Sequence, residues 1–546
     1  MRLNTCKLFS ISRLLPAIVV AATLLLATTA YAAAPGIQDA NFALTASDNY
    51  ISQPDGQMIY SFGYGCTVAG TGHVFNPSAA NMPGATCNVM QVPAPTLIVT
   101  EGVPFAVTLT DALPGPAGNT SILFPGLRLV STSGGVPGLL TQEAAPGNPV
   151  TYNLVADTPG TRSYYSGTQG DLQVEMGLYG AVVALPSASV AAPPSCPWHN
   201  ASAESAPELD FRLVGASGAA FHHVQSCYDR EYLFQFSEID PRIHQEAIDQ
   251  LQATSACTAA AVSGVVCPTS LDVATEPYHP TYFMINGRSM PDDMDTNYAQ
   301  QYPHQPYNGN PHMHPGELVL LRIIGQGRWQ HPFHEHGNHV RILARDGNLL
   351  LSALDPTKLA GPLLFTTTTT PGLAMDGIFY WTGKGLNWDV LGHYATDATH
   401  PATGNSAEPC NPDGNGYYTH ASGAPDSATN YYEWCQDHQK GLETNPFGQV
   451  ATGGPATLPD ANILTNGAWY GGSAYLGPDA TTRATGPNGT TPPSGTIANS
   501  PSSEAGFAFM WHSHNEREIT TSNIFPGGML MMMLVDPRAF PIDESK

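Results

Sequence analysis

The stretch Pro95-Thr-Leu-Ile-Val-Thr-Glu-Gly-Val-Pro-Phe-Ala-Val-Thr-Leu-Thr110 decides the class of the fold. It reads as two strands around a turn at Glu101-Gly102, and beyond that turn Phe105, Val107 and Leu109 alternate with Ala106 and Thr108. A period of two is the mark of a strand with one buried face. Similar strand signals recur at Tyr282 to Gly287, Glu317 to Ile324 and Gly506 to His514. Only 12% of the chain is charged, while 54 Gly and 48 Pro are spread along it. Neither residue suits a helix interior, so short strands joined by many turns are expected, and the class is all-β. One passage, Pro241 to Gln252, has helical spacing and is predicted as a short helix.

Outward from that stretch, residues 1–32 carry Arg2, Lys7 and Arg13, an apolar run from Leu14 to Leu26 and the small-residue site Ala30-Tyr31-Ala32. That is the layout of a cleavable export signal, which predicts a periplasmic or extracellular protein. No later stretch is long and apolar enough to span a bilayer, so no membrane insertion is expected. Without the leader, 17 basic residues face 44 acidic ones, a net charge of −27. An acidic surface of that kind excludes nucleic acid as a partner and favours attraction of cations.

Eight cysteines follow the leader, and an even count in an exported chain reads first as disulfides. Neighbours in sequence suggest 66–87, 196–227, 257–267 and 410–435, among the 105 connectivities that eight cysteines allow. Composition suggests a first domain over 40–187, an Ala/Pro/Ser joint from Ser187 to Pro197, a second domain over 198–300, a joint near Tyr298 to Pro311, and a third domain over 311–540. From about 394 to 503 the third domain carries a turn-rich, Tyr-bearing insertion, too long to be a structureless loop and so expected to be ordered.

Two short runs hold the chemistry: His331-Pro-Phe-His334-Glu-His336-Gly-Asn-His339 and Trp511-His512-Ser513-His514. Residues two apart share a strand face, so His334 with His336, and His512 with His514, each present two imidazoles on one side. A single His-x-His is usually a surface or core feature; two of them without carboxylates point to copper or zinc. Other candidates have plainer readings. Met529-Leu-Met-Met-Met-Leu534 fits a core strand, Pro291-Asp-Asp-Met-Asp295 a solvated acidic turn, and His304, His312 and His314 a polar loop. Asp229-Arg230 reads as an ion pair at the start of a strand in which Phe234 and Phe236 share a buried face. No phosphate loop, nucleophile elbow or Cys-x-x-Cys motif is present, which disfavours nucleotide enzymes, serine hydrolases and thiol redox proteins.

The run from His331 resembles the His-Pro-x-His-x-His-Gly signature of the multicopper oxidases, and His512-Ser513-His514 stands in the place of their late His-Cys-His. Pro95 to Gly102 followed by Leu113-Pro114 and Thr120-Ser-Ile122, then Gly177-Leu-Tyr-Gly-Ala-Val-Val183 and Ile285-Asn-Gly-Arg288, agree in order. The resemblance implies three consecutive cupredoxin-like Greek-key β-sandwich domains. It implies copper ligands at His334, His336, His512 and His514, with His331 matching a ligand of the family's mononuclear blue centre.

The match also shows what is lost. Ser513 replaces the cysteine that binds the blue copper and conducts electrons, and Glu518 and Asn523 stand where a histidine and the axial methionine belong, unless Met529 reaches in. Leu123-Phe-Pro125 and Tyr165-Ser-Gly167 replace the first-domain histidines. The family's four-electron reduction of dioxygen therefore has no route here. What remains implied is an exported protein holding copper, with zinc as the alternative, at a third-domain histidine cluster facing the first domain, with Glu335 or Glu516 nearby. Two rivals stay open: a copper-dependent oxidoreductase acting on a metal ion or phenol through a rebuilt site, and a structural or interaction protein with relic histidines.

Overall fold

The computed structural model describes residues 34–381, apart from short breaks and a longer one at 197–217, and then the strands 472–476, 497–498 and 506–535. The leader, most of the 394–503 insertion and the Cys410–Cys435 pairing lie outside the described residues.

The deciding stretch forms two strands, Leu97–Thr100 and Pro104–Asp111. Glu101-Gly102 carries the chain from one sheet to the other rather than closing a hairpin. Leu97–Thr100 lies parallel to Tyr179–Leu185 in one sheet, and Pro104–Asp111 lies beside Asn41–Ser52 and Val150–Val155 in the second. Both strands aim alternate side chains into the space between the sheets, where Leu97, Val99, Phe105, Val107 and Leu109 meet Phe62, Tyr152, Leu154 and Val182. Face-to-face burial of this kind, at about 25 cal/mol per Å² of apolar surface, is what closes a sandwich.

A second pair of sheets packs around Phe234, Phe236, Phe283, Val319, Ile323, Phe333, Phe379, Trp511 and Met531. One sheet runs in the order Tyr282–Ile285, Arg230–Ile239, Leu318–Gly325, Ala374–Tyr380, Val340–Arg345 and Asn348–Leu349. The other runs His312–Met313, Leu530–Val535, Gly506–Ser513, Pro332–Glu335 and Thr366–Thr368, with Gly472–Leu476 from the insertion also pairing with Gly506–Ser513. The methionine run is a core strand, as expected: Met529, Met531 and Met533 are all fully buried.

The all-β class and the sandwich architecture agree with the sequence. Among the described residues, the expected second domain contributes two strands, and they extend the later sandwich. Arg230–Ile239 pairs in parallel with Leu318–Gly325 over seven positions, from Arg230↔Val319 to Phe236↔Gly325. Two strands cannot bury their own apolar faces, so they join a neighbouring sheet. Tyr298 to Pro311 is a hydrogen-bonded connection. Tyr298 N–H donates to the Pro306 carbonyl, and Asn297 donates to Asn308 inside the fold. The expected helix runs further than predicted, Pro241–Ala260, and seats Ile243, Ala247 and Leu251 against the core of the first sandwich.

Among the described residues three disulfides are formed, Cys66–Cys87, Cys196–Cys227 and Cys257–Cys267, as the sequence neighbours suggest. No helix among the described residues is long and apolar enough to cross a membrane. Two sequence readings are corrected. Arg230 pairs with Glu317, at 2.5 and 2.9 Å, while Asp229 accepts the Leu318 N–H. Asp293, in the acidic turn, is fully buried rather than solvated, and burial holds its carboxyl well above the usual range.

Candidate metal centre

The two histidine runs lie side by side. Pro332–Glu335 pairs antiparallel with Gly506–Ser513 in the register Phe333↔Ser513, His334↔His512 and Glu335↔Trp511. Directly opposed residues point to the same face, so His334 and His512 emerge together and His336 and His514 follow at the period of two. The opposite face carries Phe333, Trp511 and Ser513 into the core, where all three are fully buried. Just after His336 the chain turns at Gly337, whose φ of +102° is costly for any residue with a Cβ; a Cβ there would also meet the Phe509 ring at 3.2 Å.

Ring centres separate by 4.6 Å for His334–His336, 4.8 Å for His334–His514, 5.2 Å for His336–His512, and 5.6 Å for both His334–His512 and His512–His514. Around one tetrahedral ion with metal–nitrogen bonds of about 2.0 Å, imidazole centres fall roughly 5 Å apart, so the ring spacing fits. The nitrogens are less closed than the rings. Among the described residues, only Cys66, His73 and Cys87 have potential ligand atoms all within 4.8 Å of one another.

Two rings are already oriented. His334 Nδ1 lies 2.8 Å from Thr366 Oγ1, and His512 Nδ1 lies 2.7 Å from the Ser513 carbonyl, which leaves the Nε2 atoms to face inward. His512 Nε2 and His336 Nε2 are 3.3 Å apart. Holding the outer nitrogen in this way fixes the tautomer of a metal-binding imidazole. Burial, and then the neighbouring imidazoles, push His334 down to about 4, and burial also lowers His512. Both rings are thus neutral near pH 7, the form a metal needs. His514 is exposed and opens the cluster to solvent.

His331 does not join this cluster. It is fully buried and donates from Nδ1 to Glu518 and from Nε2 to Glu238, both at 2.9 Å. Burial pulls its pKa down, but the two carboxylates outweigh burial and hold it at about 9. Glu238 also accepts the Arg328 and Trp329 N–H groups, and Glu518 accepts the Ser513 hydroxyl at 2.5 Å and the Asn515 amide at 2.8 Å. Where the resemblance led one to expect a copper ligand, there is a protonated imidazole clamped between two acids. Both ring nitrogens face carboxylates, Glu518 and Glu238. Met529 does not reach in either; its side chain belongs to the core.

The expected acidic neighbours are also placed. Glu335 alternates with its flanking histidines and points into the core, where Thr367 donates to it and burial pushes it up to about 8. Glu516 is exposed. In the first sandwich, Leu123 and Tyr165 stand where the family has histidines, and their backbones pair with each other. Among the described residues, His304, His312 and His314 form no close metal-binding group.

Sequence reasoning missed Glu238. It stands two residues beyond Phe236, on the same apolar strand face, and a carboxylate at such a position must have a partner. That alternation was the available signal.

Residues 73–189 match the family model described as multicopper oxidase. Similar solved structures include the blue copper oxidase from Nitrosomonas europaea, with 15% identity, 91% of this chain and 85% of that chain covered and a TM-score of 0.41. The copper nitrite reductase from the same organism shows 14% identity over 63% of this chain and 85% of that chain, with a TM-score of 0.37. A laccase from Botrytis aclada shows 18% identity over 63% and 46%, with a TM-score of 0.34. No curated protein matches the sequence.

Proposed function

We propose, from the match of residues 73–189 to the multicopper oxidase model, that this chain is an exported, copper-binding member of that family whose ion is held by His334, His336, His512 and His514. The observation that carries this reading is the His334↔His512 register, which brings two distant His-x-His pairs to one face. Four imidazoles are a borderline-soft donor set suited to copper(II). Copper bound there would supply a one-electron couple. The chain's own residues orient the rings through Thr366 and the Ser513 carbonyl and leave His514 open to solvent. The three disulfides support export to the periplasm or the extracellular space.

Oxidoreductase activity is at most weak on this reading, because the Glu238–His331–Glu518 clamp occupies the place of the electron-entry centre. Purified protein loaded with copper(II) is expected to take up a single ion, to show nitrogen couplings in its electron paramagnetic resonance spectrum, and to lack intense blue absorption. His334→Ala combined with His512→Ala is expected to weaken copper binding at least 100-fold, since the two imidazoles left, His336 and His514, come one from each run and cannot encircle the ion. Copper taken up equally by wild type and the double variant sinks the proposal. Zinc run in parallel tells whether the donor set discriminates.

A second expectation follows from the clamp. Ser513→Cys restores the sulfur that the family uses, yet copper added to that variant is expected to give no intense blue band, because His331 has no nitrogen left to offer. The combination Ser513→Cys, Glu238→Gln and Glu518→His is expected to differ by gaining thiolate absorption. A blue band in the single variant means that the clamp yields to copper.

A further inference from the structure

A separate group of ligand atoms lies in the first sandwich. Cys66 ends the strand Met58–Cys66, Cys87 is bonded to it, and His73 lies on the intervening segment. The two sulfurs and one nitrogen of His73 all fall within 4.8 Å of one another. Both cysteines are buried, at 2% and 1% exposure, whereas His73 is partly exposed. The ring is also oriented. It rests edge-on against Phe75, and its Nε2 lies 3.1 Å from the Val68 carbonyl. An N–H at Nε2 donating to that carbonyl leaves the lone pair on Nδ1, the arrangement by which an outer hydrogen bond prepares an imidazole to bind a metal.

We propose that Cys66, Cys87 and His73 form a soft-metal site that the disulfide keeps closed, and that reduction opens it to a d10 cation such as copper(I) or zinc(II). In the oxidised chain each sulfur is bonded to the other and neither is a thiolate. A dithiol reductant supplies two electrons and two protons and becomes a disulfide itself; each chain sulfur gains one electron and one proton. The arriving cation then displaces both thiol protons and takes two thiolates and one imidazole. Metal–sulfur bonds of about 2.3 Å and metal–nitrogen bonds of about 2.0 Å place such ligands roughly 3.5–4 Å apart, so the two sulfurs, bonded to each other in the oxidised chain, move apart on reduction while staying within reach of His73. Two thiolates select soft d10 ions, in contrast with the all-imidazole quartet. This inference does not depend on the quartet.

The test uses the full chain and cadmium(II), a d10 probe whose thiolate bonds absorb in the ultraviolet. Oxidised protein is expected to show no such band. Protein reduced by a phosphine, which removes the disulfide by becoming the phosphine oxide with water supplying the oxygen and the protons, is expected to show it. His73→Ala carries the same thiols, including those of Cys196–Cys227 and Cys257–Cys267, so its expected loss of at least ten-fold in cadmium affinity isolates the imidazole. The double variant Cys66→Ser, Cys87→Ser is expected to lose the tight phase. Equal affinity in reduced wild type and His73→Ala overturns the proposal. If reduction unfolds the first sandwich, cadmium is expected to restore its circular dichroism; a reduced chain that stays unfolded with cadmium overturns it too.

Discussion

Replacing His331 with Gln is expected to lower the unfolding free energy by about 3–5 kcal/mol at pH 6, among the largest single-site losses available in this chain. The substitution leaves Glu238 and Glu518, both almost fully buried, facing each other without the cation between them. The pH dependence separates this cause from lost packing. His331 is raised from about 6.5 in the unfolded chain to about 9 in the fold, which corresponds to about 3 kcal/mol. Because the folded value is the higher one, that stability is present in full below about pH 6.5, declines above it, and is gone once the pH has risen past about 9. The gap between wild type and His331→Gln in denaturant midpoint should therefore be wide at pH 6 and narrow at pH 9.5. A gap that stays constant over that range would falsify the clamp as the source of the effect.

The same residues show which features a sequence makes visible. The quartet was legible because strand geometry is local: a His-x-His on a strand puts two rings on one face whatever the rest of the chain does. That the two strands are neighbours rested on the resemblance, and the register His334↔His512 agrees with it. The partners of His331 were hidden because the motif records its position but not what surrounds it. Glu238 lies 93 residues upstream in another sheet, and Glu518 lies 187 residues downstream. The fate of the middle segment was hidden for a similar reason. A parallel pairing such as Arg230–Ile239 with Leu318–Gly325 leaves no local turn to announce it, whereas hairpins do. Composition found breaks near Ser187 and Tyr298, but a stretch rich in proline and tyrosine can equally be a packed connection, as Tyr298 to Pro311 is.

Arg322 is the second place where one substitution should reach far. It lies fully buried on Leu318–Gly325 and pairs with Glu231 on one neighbouring strand and with Asp376 on the other, the latter at 3.0 Å. Asp376 in turn accepts the Thr161 N–H at 3.0 Å and the Thr161 hydroxyl at 2.5 Å, so the network crosses from the later sandwich to the first. Burial works against the guanidinium charge, but the two carboxylates outweigh it and hold its pKa above the ordinary value. Arg322→Ala removes that cation and strands two buried acids, for an expected loss of about 3–5 kcal/mol with a cavity cost added. Neutralising the acids as well, with Arg322→Met, Glu231→Gln and Asp376→Asn together, is expected to recover most of the loss, since the penalty lies in the unpaired charge rather than in the missing ion pair. If the network also fastens the two sandwiches, Arg322→Ala should split the single denaturation transition into two, the triple variant should restore one, and a single unshifted transition for Arg322→Ala would leave the network without either role.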